Sequence, residues 1–206
     1  MPLILRTIPC LSDNYAFLIH DPESKATAVV DVPEAPPILS ALQAEGWTLT
    51  DILLTHHHWD HIDGVPDLVT ATGARIVGAA ADAHRLPKLD QAVCEGDQVQ
   101  VGTSAAQIID VSGHTLGHIA FHFADAGLLF TADSLMAMGC GRLFEGPPAL
   151  MWASLSKLAA LPPETIVCSG HEYTEANLKF AEHLTPEHQP LVKRAATIRA
   201  LRGAGK

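Results

Sequence analysis

Histidines and acids crowd one ten-residue stretch of the sequence, THHHWDHIDG at positions 55–64. Side chains two residues apart point the same way in an extended chain, so His56 and His58 form a pair and His57 stands apart. If the chain then turns into a helix near position 64, Asp60 and His61 project from the loop as a second pair. The stretch therefore offers two half-sites for metal ions.

Two metal ions need more ligands than this stretch supplies, because a catalytic zinc usually keeps three protein ligands and an open position for water. His114 follows the predicted strand AQIIDV, Asp133 ends the run GLLFTAD, and His171 follows the strand TIVC. Open α/β sheets place their sites at the carboxyl ends of strands. The candidate ligands are therefore His56, His58, Asp60, His61, His114, Asp133 and His171.

The remaining histidines are expected to play structural parts. His57 should pack or hydrogen-bond rather than bind metal, while His118 and His122 alternate with apolar residues and could orient the ligands through hydrogen bonds. Ordinary polar roles are expected for His20, His84, His183 and His188.

Short apolar runs and helical patterns alternate along the chain. The strand-like runs lie at 3–8, 15–20, 27–32, 51–55, 74–79, 106–111, 119–123 and 127–133, and the helical patterns at 36–46, 65–73, 149–161, 174–184 and 186–203. This mixture predicts an α/β fold with helices packed outside stacked sheets.

The composition sets wide limits on the function. The chain has 206 residues, 48% of them hydrophobic and 17% charged, which suits one domain with a sizeable core. A formal charge of −10 disfavours nucleic acid as a partner. No apolar run approaches the ~20 residues of a membrane span, and the N-terminus lacks the pattern of a secretory signal. A cytoplasmic protein with no membrane partner is expected.

Covalent catalysis finds no support in the motifs. The four cysteines, Cys10, Cys94, Cys140 and Cys168, include no C-x-x-C pair and are expected to be reduced and mostly buried. A G-x-S-x-G elbow is absent from the sequence. An activated water is therefore the expected nucleophile.

The stretch at positions 55–64 is expected to be partly buried, because it contains Trp59 and is flanked by aliphatic residues.

Six motifs follow one another along the chain: SDNYAFLI (12–19), THHHWDH (55–61), SGHT (112–115), FTAD (130–133), GCGRLFEG (139–146) and GHEYT (170–174). In these motifs and their order the chain resembles the metallo-β-lactamase superfamily and, within it, the glyoxalase II branch, the hydroxyacylglutathione hydrolases. The resemblance implies a four-layer αββα sandwich over residues 1–170 and a helical, substrate-binding segment over 171–206. It also implies that His56, His58 and His114 hold one metal, that Asp60, His61 and His171 hold the other, and that Asp133 bridges them.

By the same resemblance, the reaction is hydrolysis of S-D-lactoylglutathione to D-lactate and glutathione, a step of methylglyoxal degradation. Two divalent ions, zinc first and iron or manganese otherwise, would activate a bridging hydroxide that Asp60 orients. A thioester suits a site without a spare general acid, because a thiolate with a pKa of about 8.5 can leave unprotonated. Arg142, Phe144 and Tyr173 would contact glutathione.

The sequence departs from the family pattern at a few positions. Arg142 stands where lysine is usual, Phe144 where tyrosine is common, and Asp63 where glycine is common. The chain stops at Lys206, whereas family sequences usually continue with Arg and Lys residues that bind the glycine carboxylate of glutathione. Weak hydrolysis of the glutathione thioester is the corresponding expectation.

Three other functions stay open at this point. One is a persulfide dioxygenase with a single iron, which shares much of the histidine framework. Another is a broader hydrolase of the same superfamily that opens lactones or β-lactams. The last is a metal-dependent binding module without enzymatic activity. Metal content, oxygen consumption and a substrate panel separate them.

Overall fold

A computed structural model describes residues 3–204 of the chain. The first half forms a six-stranded sheet in the spatial order β1 (Ile4–Cys10), β2 (Asn14–His20), β3 (Thr27–Val30), β4 (Asp51–Leu53), β5 (Arg75–Ala79) and β6 (Gln91–Val93). Strands β1 to β3 are antiparallel, and β3 to β6 run parallel.

The second half forms a five-stranded sheet. Its spatial order is β11 (Ile166–Ser169), β10 (Leu128–Ala132), β9 (Ile119–Phe123), β8 (Ser104–Asp110) and β7 (Gln98–Val101). Only β10 and β11 pair in parallel, and the other neighbours are antiparallel. The sequence does not predict strands β6 and β7, because runs as short as QAV and QVQV carry too little apolar alternation to stand out.

The predicted helical patterns all form helices, with ends shifted by a few residues. The helices are α1 (Ala35–Glu45), α2 (Trp59–Ile62), α3 (Val65–Thr72), α4 (Pro148–Ala159), α5 (Thr174–Leu184) and α6 (Gln189–Gly203). Helix α1 ends where Gly46 adopts a left-handed conformation with φ of 68°. Such a residue lets the chain turn away from the last helical carbonyls at little steric cost.

The period-two alternation of the strands sorts their side chains into separate layers. Phe17 and Ile19 of β2 face the second sheet, whereas Ala16 and Leu18 face helices α1 and α3. On the second sheet, Ile109 packs on the opposite side, in the cluster that contains Leu158 of α4. The layers are therefore helices, sheet, sheet and helix, which confirms the predicted αββα sandwich.

One edge of the sandwich is held by a buried carboxylate. Asp21 follows β2, and its Oδ2 accepts hydrogen bonds from the backbone N–H and the hydroxyl of Thr103, at 2.6 and 2.8 Å. Thr103 precedes β8 in the other sheet, so this contact ties the two sheets together. The carboxyl ends of β4, β8 and β10 lie at the opposite edge.

Helices α5 and α6 pack on each other through a small apolar cluster of Leu178, Leu191, Ala195 and Ile198. Met138, from the loop after β10, packs against the same cluster. No helix among residues 3–204 has the length and apolar character needed to cross a membrane.

Candidate metal centre

The candidate ligands meet at one edge of the sandwich because the strands before them all end there. His56 follows β4 of the first sheet, while His114, Asp133 and His171 follow β8, β10 and β11 of the second. Strands β8 and β10 are both antiparallel to β9 and so point the same way, and β11 is parallel to β10. The structure therefore places a polar residue at the mouth of each of these strands, where the sequence predicts one.

The prediction that Asp60 and His61 project from a loop was wrong, because both lie on the one-turn helix α2. A four-residue helix is too short for its apolar periodicity to be visible in a sequence. The stretch that carries Trp59 is partly buried as expected, since Thr55, His56 and His61 are fully buried, although Trp59 itself is 64% exposed. One helical turn directs Asp60 and His61 inward and leaves the indole outside.

The first group of ligands consists of His56, His58 and His114. His58 Nδ1 lies 3.2 Å from His56 Nε2 and 2.9 Å from His114 Nε2. Three ring nitrogens therefore converge on one point, and the ligand atoms of the group lie within 4.8 Å of one another.

The second group consists of Asp60, His61 and His171. His171 Nε2 lies 3.4 Å from His61 Nε2 and 3.4 Å from Asp60 Oδ2. The Asn14 amide donates to Asp60 Oδ2 at 3.1 Å and to the Asp60 carbonyl at 3.0 Å, which fixes the carboxylate. Two nitrogens and one carboxylate oxygen again face a common point.

Asp133 lies between the two groups. Its Oδ2 is 3.4 Å from the Nε2 atoms of both His114 and His171, and its Oδ1 is 3.5 Å from His61 Nε2. An irregularity in strand pairing at Ala132, whose φ is +41°, turns the next residue toward the centre. A Cβ on Gly170 would collide with Asp133 Oδ1, so only glycine permits this approach.

The outer nitrogens of four ligand histidines are held by oxygen atoms of the chain. The partners are Thr55 Oγ1 for His56 (3.0 Å), Asp31 Oδ2 for His61 (2.8 Å), the Arg142 carbonyl for His114 (2.6 Å) and Asp13 Oδ1 for His171 (2.8 Å). Each of these nitrogens then carries the proton, which leaves a lone pair on the inner nitrogen. This is the arrangement that metal-binding histidines need.

Asp31 belongs to this supporting shell although it lies near two ligands. Together with His56 and His61 it forms a third cluster of ligand-type atoms. Its two oxygens, however, accept hydrogen bonds from the Thr55 N–H, the Thr55 hydroxyl and His61. We therefore assign it to positioning rather than to metal binding.

The electrostatics of the centre favour a bound cation. Burial, followed by the nearby His114, lowers the pKa of His58 to about 4, which keeps this ring neutral at pH 7. Burial opposes charge on His171 as well, but hydrogen bonds to Asp133 and Asp60 outweigh it and raise the pKa of His171 to about 10. These carboxylates therefore favour a proton on the inner nitrogen of His171, and a metal ion that binds there has to displace this proton. Asp133 Oδ1 is buried and has no hydrogen-bond partner among residues 3–204. Imidazole nitrogens and carboxylates of this kind fit divalent metal ions.

The other histidines play structural parts, as expected, but within residues 3–204 neither His118 nor His122 hydrogen-bonds a ligand, so the expectation that they orient the ligands in this way is not met. His57 Nδ1 hydrogen-bonds Asp82 Oδ2 at 2.8 Å. The ring of His118 stacks on His56 with centroids 4.5 Å apart. His122 is buried in β9, and His20 Nδ1 bonds Thr27 Oγ1 at 2.8 Å. The rest, His84, His183 and His188, are exposed.

Three residues that support the ligands, namely Asp13, Asn14 and Asp31, were not predicted from the sequence, and neither was Asp82, the partner of His57. Asp31 had a visible signal, since it lies in the predicted strand TAVVDV, at the edge where the ligands lie. Asp13 and Asn14 belong to the motif SDNYAFLI, to which no role was given. Among the cysteines, Cys10 and Cys168 are buried, but Cys140 is half-buried and Cys94 exposed, so the expectation of mostly buried thiols holds for only half of them.

A cavity of about 620 Å³ opens over the centre. Its walls include Arg142, Phe144 and Tyr173 as well as Cys140 and Asn177. The Phe144 ring lies 5.6 Å from the ring of His58, and Tyr173 stacks on His171 at 4.8 Å. The structure thus brings the predicted substrate contacts to the mouth of the predicted metal site.

This sandwich and its histidine-rich edge define a class of protein that comparison identifies. Residues 14–171 match the family model of the metallo-beta-lactamase superfamily, so the chain belongs to that superfamily. The fold resembles that of BLEG-1, a B3 metallo-beta-lactamase, with a TM-score of 0.76 and 24% identity over 82% of this chain and 92% of that one. A second solved protein, TTHA1623 in a di-iron-bound form, gives a TM-score of 0.69 and 28% identity over 84% of this chain and 96% of that one.

Sequence relatives specify the branch. The hydroxyacylglutathione hydrolase of Jannaschia sp. (strain CCS1) is 64% identical over 97% of this chain and 78% of its own length. The chain therefore belongs to the hydroxyacylglutathione hydrolase family, as its motifs suggested.

Proposed function

We propose that the chain hydrolyses glutathione thioesters, with S-D-lactoylglutathione converted to D-lactate and glutathione. The observation that carries this proposal is the convergence of seven ligand-type side chains beneath a cavity whose wall contains Arg142, Phe144 and Tyr173. Its relatives at 62–64% identity bear the name hydroxyacylglutathione hydrolase, which supports the same activity.

The two groups of ligands fit two divalent ions, zinc first, with iron or manganese as alternatives. One ion would be held by the three histidines around His58 and the other by Asp60, His61 and His171. Asp133 would bridge them, because its oxygens reach nitrogens of both groups. When bound, such ions lower the pKa of water to about 7 and polarise a carbonyl group.

The residues of the chain would orient the reacting groups. Asn14 occupies one oxygen of Asp60, which leaves the other carboxylate oxygen to accept a hydrogen bond from the attacking water. The oxygen of that water would add to the thioester carbonyl, the C–S bond would break, and glutathione would leave as its thiolate. The acyl group would be released as D-lactate, and both protons of the water would pass to solvent. Because a thiolate with a pKa of about 8.5 needs no prior protonation, the absence of a further acid among the described ligands does not hinder this step.

Recognition of the glutathione part would fall to the loop that carries Arg142 and Phe144. The Arg142 guanidinium lies 5.8 Å from the centroid of the exposed Phe144 ring, so a charge and an apolar face are presented side by side. A guanidinium pairs well with carboxylates, which glutathione carries at both ends. Tyr173, which lines the same cavity, would add a hydroxyl. We assign the segment 171–206 to substrate binding, and 1–170 to the catalytic domain.

A steady-state assay tests the function. Purified protein loaded with zinc, iron or manganese is given S-D-lactoylglutathione, and the loss of thioester and the release of thiol are followed together with metal stoichiometry. The proposal expects two ions per chain and equal amounts of thiol and D-lactate. One tightly held iron with oxygen consumption would indicate a persulfide dioxygenase instead. Turnover of lactones or β-lactams in preference to thioesters would indicate a broader hydrolase. A cytoplasmic location stays a prediction.

A further inference from the structure

One histidine of the THHHWDH motif, His57, has no part in the proposed chemistry, yet its side chain is only 17% exposed. Its Nδ1 binds Asp82, which lies in the turn after β5 and is fully buried. Its Nε2 lies 3.8 Å from Oε1 of Glu145, which belongs to the substrate loop, residues 139–146. His57 therefore stands between the metal-ligand segment and the loop that contains Arg142 and Phe144.

Arg85 connects the same two acids from the other side. Its Nε donates to Asp82 Oδ1 at 2.5 Å, and its two terminal nitrogens donate to the oxygens of Glu145 at 2.5 and 3.2 Å. A planar guanidinium can span two carboxylates in this way, whereas an ammonium group acts as a point charge. The Arg85 side chain is 30% exposed and that of Glu145 is 25% exposed.

Glu145 also joins the turn that follows His114. Its Oε2 accepts a hydrogen bond from the Leu116 backbone N–H at 2.7 Å. A Cβ on Gly117 would collide with the Asp82 side chain, so this turn is packed directly on the buried acid. Three segments therefore meet at these side chains: the THHHWDH motif with His57, the turn after His114, and the substrate loop.

The loop needs such an anchor because the two side chains proposed to contact the substrate lie mostly in solvent. Phe144 is 59% exposed, and Arg142 is also exposed. The position of both is therefore set by the backbone, which is tied by the Phe144 N–H to His114 carbonyl bond of 3.3 Å and by Glu145, one residue further along. Substrate contacts that are loosely placed cost binding energy, since the loop must be ordered when substrate binds.

We propose that His57, Asp82, Arg85 and Glu145 form a positioning network that holds the substrate loop in register with the metal centre. The inference rests on the proposed function for its kinetic consequence and on geometry alone for its structural one. Arg85 is the residue to change, because it joins both acids and contacts neither metal ligands nor the cavity.

The kinetic test compares Arg85→Gln with the matched control Arg75→Gln in the metal-loaded protein. Arg75 likewise donates to a buried acid, Asp51, and to Gln91, but it lies at the opposite end of β5. R85Q should raise KM for the glutathione thioester by about tenfold, equivalent to ~1.4 kcal/mol. Its kcat and metal content should change much less, and R75Q should change none of these.

A second background separates positioning from general destabilisation. If Arg85 acts through the substrate loop, R85Q should raise KM little further in a protein that already carries Arg142→Ala. A small neutral thioester, which has no carboxylates for Arg142, should keep its KM in R85Q. Full additivity with R142A, or equal losses on both thioesters, would overturn the proposal.

A thiol-labelling experiment tests the network without using activity. Cys140 lies in the substrate loop and is half-buried, Cys94 is an exposed reference, and Cys10 and Cys168 are buried. R85Q should raise the labelling rate of Cys140 relative to Cys94 several-fold, as read by peptide mass spectrometry, while Cys10 and Cys168 stay protected. Labelling of Cys10 and Cys168 in step with Cys140 would mean global loosening and would refute the positioning role.

The two experiments fail in different ways. A wild-type chain that turns over no glutathione thioester refutes the proposed function, yet the labelling comparison still decides on the network. A wild-type chain that is active, with R85Q matching R75Q in both KM and labelling, refutes the network alone.

Discussion

Replacing Asp31 with asparagine should disable one metal site through a single proton. Asp31 Oδ2 accepts hydrogen bonds from His61 Nδ1 and the Thr55 hydroxyl, both at 2.8 Å, and Oδ1 accepts the Thr55 N–H at 2.9 Å. If the amide oxygen of the new side chain keeps the bond to the Thr55 N–H, its NH₂ group faces His61. The ring then avoids a donor–donor contact only by moving its proton to Nε2, the nitrogen that faces the metal.

The size of the effect follows from this arrangement. Loss of a hydrogen bond that supports a metal ligand typically weakens metal affinity by about 10- to 100-fold, or ~1.4 to 2.7 kcal/mol. The Asp60, His61 and His171 site should lose this much. The site around His58 should lose less metal affinity, because Asp31 acts on it only indirectly. Asp31 bonds the Thr55 hydroxyl, and Thr55 Oγ1 in turn lies 3.0 Å from Nδ1 of the ligand His56.

The assay is a metal titration against a competing chelator, with thermal unfolding measured on the same samples. Asp21→Asn is the matched control, since Asp21 is also a buried carboxylate with several hydrogen-bond donors, but at the opposite edge of the sandwich. D21N should lower Tm and leave both metal affinities unchanged. The reasoning would be refuted if D31N kept wild-type affinity at both sites, or if D21N weakened metal binding equally.

Three further outcomes are expected. Asp133→Asn should weaken both metal sites by at least about tenfold, because this carboxylate reaches nitrogens of both groups; retention of two ions and full turnover would remove its role as the bridge. Arg142→Ala should raise KM for a glutathione thioester about tenfold and leave a small neutral thioester unchanged; equal losses on both would point to a structural role. Hydrogen bonding to Arg85 lowers the pKa of Glu145 from 4.5 to about 2, so protonation of Glu145 disfavours the folded state. Its stabilising contribution should be complete above pH 4.5 and fade toward pH 2, and the Tm difference between wild type and Glu145→Gln should shrink over that window; a difference that is constant with pH would contradict this.

The ligand set was predictable because each ligand follows an apolar run that ends at one edge of a sheet. His114 and Asp133 come directly after strong strand signals, and both strands lie in the interior of their sheet. Strand direction alone then places the two side chains near each other. The division of the ligands between two ions came from resemblance to a family, because spacing in the sequence does not fix distances across two sheets.

The supporting residues were not predictable, since their partners are remote in sequence. Asp13 holds His171 across 158 positions, and Asp31 holds His61 across 30. An isolated aspartate after a strand looks the same whether it faces solvent or a histidine ring. The short elements α2 and β6 could not be predicted for a different reason. Their conformation is determined by the packing around them rather than by their own periodicity.

The two sheets of the sandwich are linked in a different way at each of its two edges. At one edge, Asp21 joins the sheets through hydrogen bonds to Thr103. At the other edge, the ligands of each half-site follow strands of both sheets, as His58 and His114 do. A bound ion would therefore cross-link the two sheets, and this cross-link could be removed by a chelator. Removing the metal with a chelator should therefore loosen the contact between the sheets at the metal-binding edge, while the edge held by Asp21 stays intact. Amide hydrogen exchange should then accelerate first at the carboxyl ends of β4 and β8. The resident metal would then be an architectural part of the molecule as well as a reagent.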